Sequence, residues 1–329
     1  MLTLPRFEWL APTSLADVLA VIAATPGECL LVAGGTDAVP NLKHRLHEPK
    51  RVVSLARVAE LRFVQEDVEG LHLGALTTLS ALTRDPLVLA HYPAIATAAG
   101  LVASPQIRNM GTLGGNLCLD TRCTYYNQTF FWREALGFCL KKDGLVCHVV
   151  PQGRRCVAAH SSDVAPVLIA YGADVHIAGP DGLRTVACED FFVGDGIHNN
   201  VLKSDELVTH VTLPHSRRGQ RAAYRKLRPR QAIDFPMLSI AVAGRGDAAR
   251  IEALRIVVSA LGAKPRVLGQ LDPFVGRALD AGTRAAIAAS AAKQCRPLTN
   301  VAYDEDWRHA MVPVLVGRAL GDAFATESA

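Results

Sequence analysis

An α+β fold is predicted for this chain, because short apolar strands and helices alternate along it without a regular βαβ repeat. Two glycine pairs each follow an apolar segment, yet neither opens a Rossmann fingerprint. Four cysteines crowd into one irregular stretch of 34 residues, Cys123 to Cys156, between two ordered regions.

The elements follow in order. Residues 14–24 carry apolar groups at helical spacing behind a Thr13/Ser14 cap. Cys29–Ala33 reads as a short strand running into Gly34, Gly35, Thr36 and Asp37. Residues 51–55, 61–64 and 71–73 read as further strands, and 94–102 as a helix. From 117 to 160 no period is sustained. Beyond it, 164–171 reads as a helix, and 173–178 and 207–213 read as strands, the last closed by Pro214. A second unit starts near Ser216, with antiparallel strands at 221–227, 237–243 and 251–260, then two or three helices up to Leu320. The predicted organisation is therefore a first domain over 1–215, interrupted by an insertion at about 118–160, and a second over 216–329.

Half of the 329 residues are apolar and a fifth are charged, the balance of a soluble globular protein. A net charge of +4 gives no reason to expect nucleic acid. No apolar run approaches the roughly 20 residues that span a bilayer, so no membrane partner is expected. The first residues lack a basic n-region followed by an apolar h-region, which predicts no signal peptide and a cytoplasmic protein. Thiols stay reduced there, so eight cysteines point to metal ligation before disulfides.

Backbone N–H groups in glycine turns approach phosphate oxygens closely and form anion-binding nests. Gly34-Gly35 and Gly114-Gly115 are two such turns, with Thr36 and Asn116 adding side-chain donors and Asp163 standing downstream. The string Gly244-Arg-Gly246 is followed by a strand pattern and reads as a hairpin turn. The cysteine gaps, Cys123-x15-Cys139-x7-Cys147-x8-Cys156, match neither a ferredoxin run nor a zinc ribbon. Four thiolates suit a 4Fe-4S cluster or one zinc, and Cys118 is a fifth candidate. A metal would offset the entropy of ordering a segment that buries little apolar area. The aromatic residues Tyr125, Tyr126, Phe130, Phe131, Trp132 and Phe138 are expected to pack around that site. The basic residues between Arg217 and Arg230 are expected to form a solvated face, or to contact a flavin or partner subunit.

The string Gln106-Ile-Arg-Asn-Met-Gly-Thr-Leu-Gly-Gly-Asn116, with Ser162, Asp163 and Pro166 beyond, resembles the FAD-binding medium subunit of the xanthine dehydrogenase and carbon monoxide dehydrogenase molybdenum hydroxylases. Ala33-Gly34-Gly35-Thr36-Asp37 resembles that family's first pyrophosphate loop, and Tyr224-x-Lys226-x3-Arg230-x3-Asp234 the start of its C-terminal domain. The cysteine-bearing insertion between Asn116 and Asp163 resembles the β subunit of 4-hydroxybenzoyl-CoA reductase, and that likeness selects Cys123, Cys139, Cys147 and Cys156 over Cys118.

The resemblance implies a two-subdomain FAD-binding module of the vanillyl-alcohol oxidase (PCMH) type, then an antiparallel sheet with helices of the CO dehydrogenase flavoprotein C-terminal type. It implies FAD held by Ala33, Gly34, Gly35, Thr36, Asp37, Thr112, Gly114, Gly115, Asn116, Asp163 and Lys226, and a 4Fe-4S cluster on the four cysteines. Implied partners are a molybdenum cofactor-binding large subunit, a small subunit with two 2Fe-2S clusters and a ferredoxin-like donor, in a dimer of heterotrimers. No catalytic acid, base or nucleophile is expected in this chain. The basic side chains of Arg122, Arg133, Lys141, Lys142, Arg154 and Arg155 are expected to face an acidic donor. Two alternatives stand beside the aromatic acyl-CoA reductase: a xanthine dehydrogenase-like hydroxylase whose flavin exports electrons to NAD or quinone, and a zinc-stapled binding module.

Overall fold

The computed structural model describes residues 2–325. Three sheets carry the chain. Strands β1 (Glu8–Leu10), β2 (Cys29–Val32) and β3 (Arg51–Ser54) form a parallel sheet in the order β1-β3-β2. Strands β4 (Val64–Glu66), β5 (Gly70–Gly74), β6 (Asp174–Gly179), β7 (Gly182–Ala187) and β8 (Leu207–Pro214) form an antiparallel sheet in the order β4-β5-β8-β6-β7. Strands β9 (Arg221–Leu227), β10 (Leu238–Gly246), β11 (Ile251–Ser259) and β12 (Arg266–Val267) complete an antiparallel C-terminal sheet.

The helix Ala165–Tyr171 lies at the centre. Its sequence is apolar all round, which suits a helix with no solvent face, and all seven residues are buried. It packs on β10 and β11, and its core cluster extends to β5, β6 and β8. Gly172 ends it in the left-handed region at φ 66°. The N-terminal helix Leu15–Ala24 starts as expected, with the Ser14 hydroxyl accepting from the Asp17 N–H. A second core forms where helices Ala281–Gln294 and Glu305–Ala323 cover the C-terminal sheet. Gly246 turns the β10–β11 hairpin at φ 93°.

The structure departs from the expected elements in places. Residues 61–64 are not one strand: Ala59–Leu61 is a 3-10 turn and β4 starts at Val64. The reason is that 61–63 bond the 74–76 bend out of register, with Leu76 N–H on the Leu61 carbonyl and Gly74 N–H on that of Phe63. Gly114 and Gly115 do not make an open turn but sit in a short helix, Leu113–Leu117, capped by the Thr112 hydroxyl.

The stretch 117–160 contains a single helix, Phe130–Ala135. Its own apolar cluster is small, Leu46, Tyr126 and Cys139 with Cys123 at the margin. Polar contacts fix it instead. Arg122 and Ala159 exchange both backbone hydrogen bonds, at 2.8 and 2.7 Å, which closes its two ends on each other. Asn300, wholly buried, donates to the Val157 carbonyl at 2.6 Å and accepts from the Thr124 N–H at 2.9 Å. Arg133 donates to the carbonyls of His44 and Arg45 at 3.0 and 3.1 Å.

The buried Arg308 guanidinium holds the loop that supports Asn300, donating to the carbonyls of Ala260, Met237 and Leu298 at 2.8, 3.0 and 2.8 Å. Arg308→Met would strand those three acceptors. We expect a loss of about 3 kcal/mol or more, read as a lowered denaturant midpoint at unchanged slope.

Candidate flavin cleft and cysteine cavity

A cleft of about 340 Å³ opens between the parallel sheet, the 102–120 segment and the start of the C-terminal unit. Ala33, Gly34, Gly35, Thr36, Asp37, Thr112, Gly115, Asn116 and Asp163 all line it. Gly114 and Lys226 do not. A Cβ on Gly114 would lie 2.8 Å from that of Ala75, so this glycine serves the packing of its helix on the 75–77 bend.

The two glycine loops differ in what they offer an anion. Among the described residues none accepts from the backbone N–H of Gly34, Gly35, Thr36 or Asp37. At the second loop the N–H groups are engaged: Leu113 with Thr77 O, Gly114 with Ala75 O and Gly115 with the Thr112 hydroxyl. The nest expected at Gly114-Gly115 is therefore filled by the protein itself. Gly35 adopts φ 71°, which leaves the loop its sharp bend. Gly34 has another constraint, for a Cβ there would fall 1.8 Å from the Met110 carbonyl oxygen, so the loops touch backbone to backbone.

Asp163 sits at the inner end of the cleft with 2 % of its surface exposed. Its carboxylate accepts from Tyr224 Oη at 2.6 Å and Lys226 Nζ at 2.9 Å. Burial pushes the carboxyl up, and the Lys226 charge and the Tyr224 hydrogen bond oppose that. Lys226 thus reaches the cleft only through Asp163; its remaining bond is to the Leu101 carbonyl. Asn116 accepts from the Ser162 hydroxyl at 2.7 Å and the Val164 N–H at 3.2 Å, which fixes the turn that carries Asp163.

Residues that the sequence did not single out for the cleft complete it. His47 and Asp120 line one wall, and Ile233, Asp234 and Phe235 another. Ile233 is held at φ 72°, a strained region for a β-branched residue, by donating to the Ala103 carbonyl. Arg122 pairs with Asp37 and stacks over Phe235, 4.2 Å from the ring centroid, joining three segments at the rim. Only the Asp234 position carried a signal, as the end of the Tyr224–Asp234 pattern.

Cys123, Cys139, Cys147 and Cys156 line one small cavity, with Tyr125, Tyr126, Lys141, His148 and aliphatic groups filling in between. Burial raises the Cys123 thiol, the Tyr125 backbone N–H opposes this and repulsion from the other three sulfurs adds to it, for a value of about 11. Cys118 stands apart, exposed, and lines the flavin cleft. Among the described residues no group of three or more His, Cys, Asp or Glu side chains is placed to hold a metal ion.

The expected basic docking face is corrected in part. Lys141 is buried, with Nζ on Asp120 Oδ1 at 2.6 Å and on the Gly196 carbonyl at 2.7 Å. Arg133 is buried too, and Arg122 points to Asp37. Arg154 and Arg155 are exposed, and Lys142 is half-buried beside Asp143. The aromatic group likewise divides, because Tyr125 and Tyr126 wall the cysteine cavity whereas Phe131 is 77 % exposed. In the C-terminal basic stretch, Arg225 pairs with Asp322, Arg230 with Asp234, and Arg228 donates to the Leu101 carbonyl. None of these three lines the cleft.

A flavoprotein in two units is the class that this arrangement defines. Residues 5–216 match the FAD binding domain in molybdopterin dehydrogenase, and residues 222–323 match the CO dehydrogenase flavoprotein C-terminal domain. The chain belongs to this FAD-binding family of the molybdopterin dehydrogenases. It is similar to the carbon monoxide dehydrogenase medium chain of Hydrogenophaga pseudoflava, 29 % identical with 98 % of each chain covered. The nicotine 6-hydroxylase medium subunit of Paenarthrobacter nicotinovorans is 26 % identical over 98 % of this chain and 99 % of its own. The solved carbon monoxide dehydrogenase of H. pseudoflava superimposes with a TM-score of 0.81 at 27 % identity, over 98 % of this chain and 99 % of that one. These relatives are named as chains or subunits of larger enzymes. No helix among the described residues is long and apolar enough to cross a membrane.

Gly34→Ala should separate the two loops, because the new methyl meets backbone rather than a mobile side chain. The purified variant is expected to carry less than half the wild-type FAD and to melt several degrees lower. Undiminished FAD would show that the loops' close approach is not what shapes the cleft.

Proposed function

We propose that the chain is the FAD and 4Fe-4S electron-transfer subunit of a molybdenum-containing enzyme of the 4-hydroxybenzoyl-CoA reductase type. The observation that carries this reading is the convergence of Cys123, Cys139, Cys147 and Cys156 on one cavity beside the flavin cleft and separate from it. Four sulfurs around a common space suit a 4Fe-4S cluster or one zinc, and the resemblance of the insertion to the 4-hydroxybenzoyl-CoA reductase β subunit favours the cluster.

Bound in these sites, FAD and the cluster would supply two- and one-electron chemistry between a ferredoxin-like donor and partner subunits carrying 2Fe-2S clusters and molybdenum. This chain's residues do the holding. The free N–H groups of 34–37 suit the FAD pyrophosphate. Asn116 and Thr112 border the same space. Tyr125, Tyr126, Val149 and Val157 keep the cysteine cavity apolar, which limits solvent at a cluster and tunes its potential. Cysteine ligands must lose their protons to bind metal, so assembly should be favoured as pH rises. The hydroxylase alternative shares the flavin cleft and gives the cysteine cavity no role.

Anaerobically purified protein should contain about four irons and four sulfides per chain, with one FAD. Cys139→Ser should abolish the iron and keep the flavin, whereas Cys118→Ser should retain both. Iron left intact in Cys139→Ser, or a single zinc in the wild type, would overturn the cluster assignment.

The exposed Arg154 and Arg155 are the groups we expect to meet an acidic donor. Reversing both to Glu should slow reduction by ferredoxin several-fold at low salt and leave reduction by a neutral dye unchanged. Equal slowing by both reductants would indicate a damaged site.

A further inference from the structure

We propose that Asp120 and Lys141 are a positioning pair that polarises the partition between the two redox sites, raising the reduction potential on the cysteine side and lowering it on the flavin side. This rests on the reading of the cysteine cavity as a cluster site.

One ion pair belongs to both cavities. Asp120 lines the flavin cleft, Lys141 lines the cysteine cavity, and their charged atoms meet at 2.6 Å. The orientation is fixed from several directions. Lys141 Nζ also contacts Thr121 Oγ1 at 2.5 Å and the Gly196 carbonyl at 2.7 Å, and lies 4.3 Å from the Tyr126 ring centroid. Asp120 Oδ2 accepts from the Tyr126 hydroxyl at 2.8 Å and faces His47 Nε2 at 3.4 Å. The side chains are 4 % and 18 % exposed, so neither can swing away to be screened by water. Burial alone would push the Asp120 carboxyl up, but the His47 hydrogen bond and the Lys141 charge outweigh it and hold it at about 2.

A fixed cation beside a site that gains an electron stabilises the reduced form, and a fixed anion destabilises it. With the cation turned to the thiols and the carboxylate to the flavin, the pair favours an electron on the cysteine side over a neutral partition. Sequence alone concealed this. Lys141 stands next to Lys142 in a polar stretch and looks like half of a surface patch.

Potentiometric titration under anaerobic conditions, with EPR for the cluster and absorbance for the flavin, tests the proposal. In Lys141→Met the cluster's reduction equilibrium constant should fall about tenfold, a shift of about 59 mV to lower potential. In Asp120→Asn the flavin's reduction equilibrium constant should rise about tenfold, a shift of about 30 mV to higher potential for its two-electron couple. Lys142→Met, which removes a neighbouring charge that lines neither cavity, should leave both midpoints near wild-type values. A fully iron-loaded Lys141→Met with an unmoved cluster midpoint would overturn the proposal, as would a Lys142→Met shift equal to that of Lys141→Met. Should Lys141→Met fail to retain iron, Asp120→Asn decides, and an unmoved flavin midpoint overturns the proposal. Wild-type protein without iron or sulfide would instead refute the cluster assignment, and the Asp120→Asn flavin titration would still judge the pair's effect on the cleft.

Discussion

The buried carboxylate of Asp163 is the constraint on which the architecture turns. It lies where the central helix begins, where the cleft ends and where β9 crosses from the second unit. A carboxylate with 2 % exposure is costly unless it is well paired, and its two partners, Tyr224 and Lys226, both come from β9. The two units are therefore not free to hinge at this point without stranding a charge. Asn116, from the opposite side, holds the turn that aims Asp163. The cleft is shaped by a joint between units, and its inner wall is as rigid as that joint.

The cysteine-bearing segment is built on a different principle. Its apolar cluster is too small to order about 40 residues by burial alone. Buried cations reaching backbone carbonyls replace a core: Arg133 caps the 44–45 bend and Lys141 gathers Asp120, Thr121 and Gly196. Such contacts specify direction better than they stabilise, because each cation has lost its hydration. Within this polar framework the four thiols face one common cavity.

Much of the scaffold was legible from periodicity. The wholly apolar run at 164–171 reported its burial directly, and the strands at 221–227 and 251–260 stand where the sequence places them. The glycine pairs were legible as special backbone, but their partners were not. Gly34 answers to the Met110 carbonyl and Gly114 to Ala75, both distant in sequence. Where no period exists, burial has no signature, and that is why Lys141 and Arg133 read as surface charge. Asn300 and Gly196 could not be found, since each acts on the cysteine segment from far along the chain. Asp234, which the sequence offered only within the pattern that starts the C-terminal domain, lines the cleft, whereas Lys226 works one residue removed, through Asp163.

The reciprocal backbone pair of Arg122 with Ala159 has a consequence for descent as well as for stability. Because the two ends of the cysteine segment meet as neighbours on one short ladder, the surrounding domain sees only a narrow stem. Ring-closure entropy rises slowly with length, so a domain that tolerates a short turn at such a stem tolerates a long excursion nearly as well. The domain can in this way carry the long cysteine-bearing segment without redrawing a single strand of its sheets. The stem also opens beside Asp37 at the cleft rim, so whatever the segment carries starts out next to the cleft.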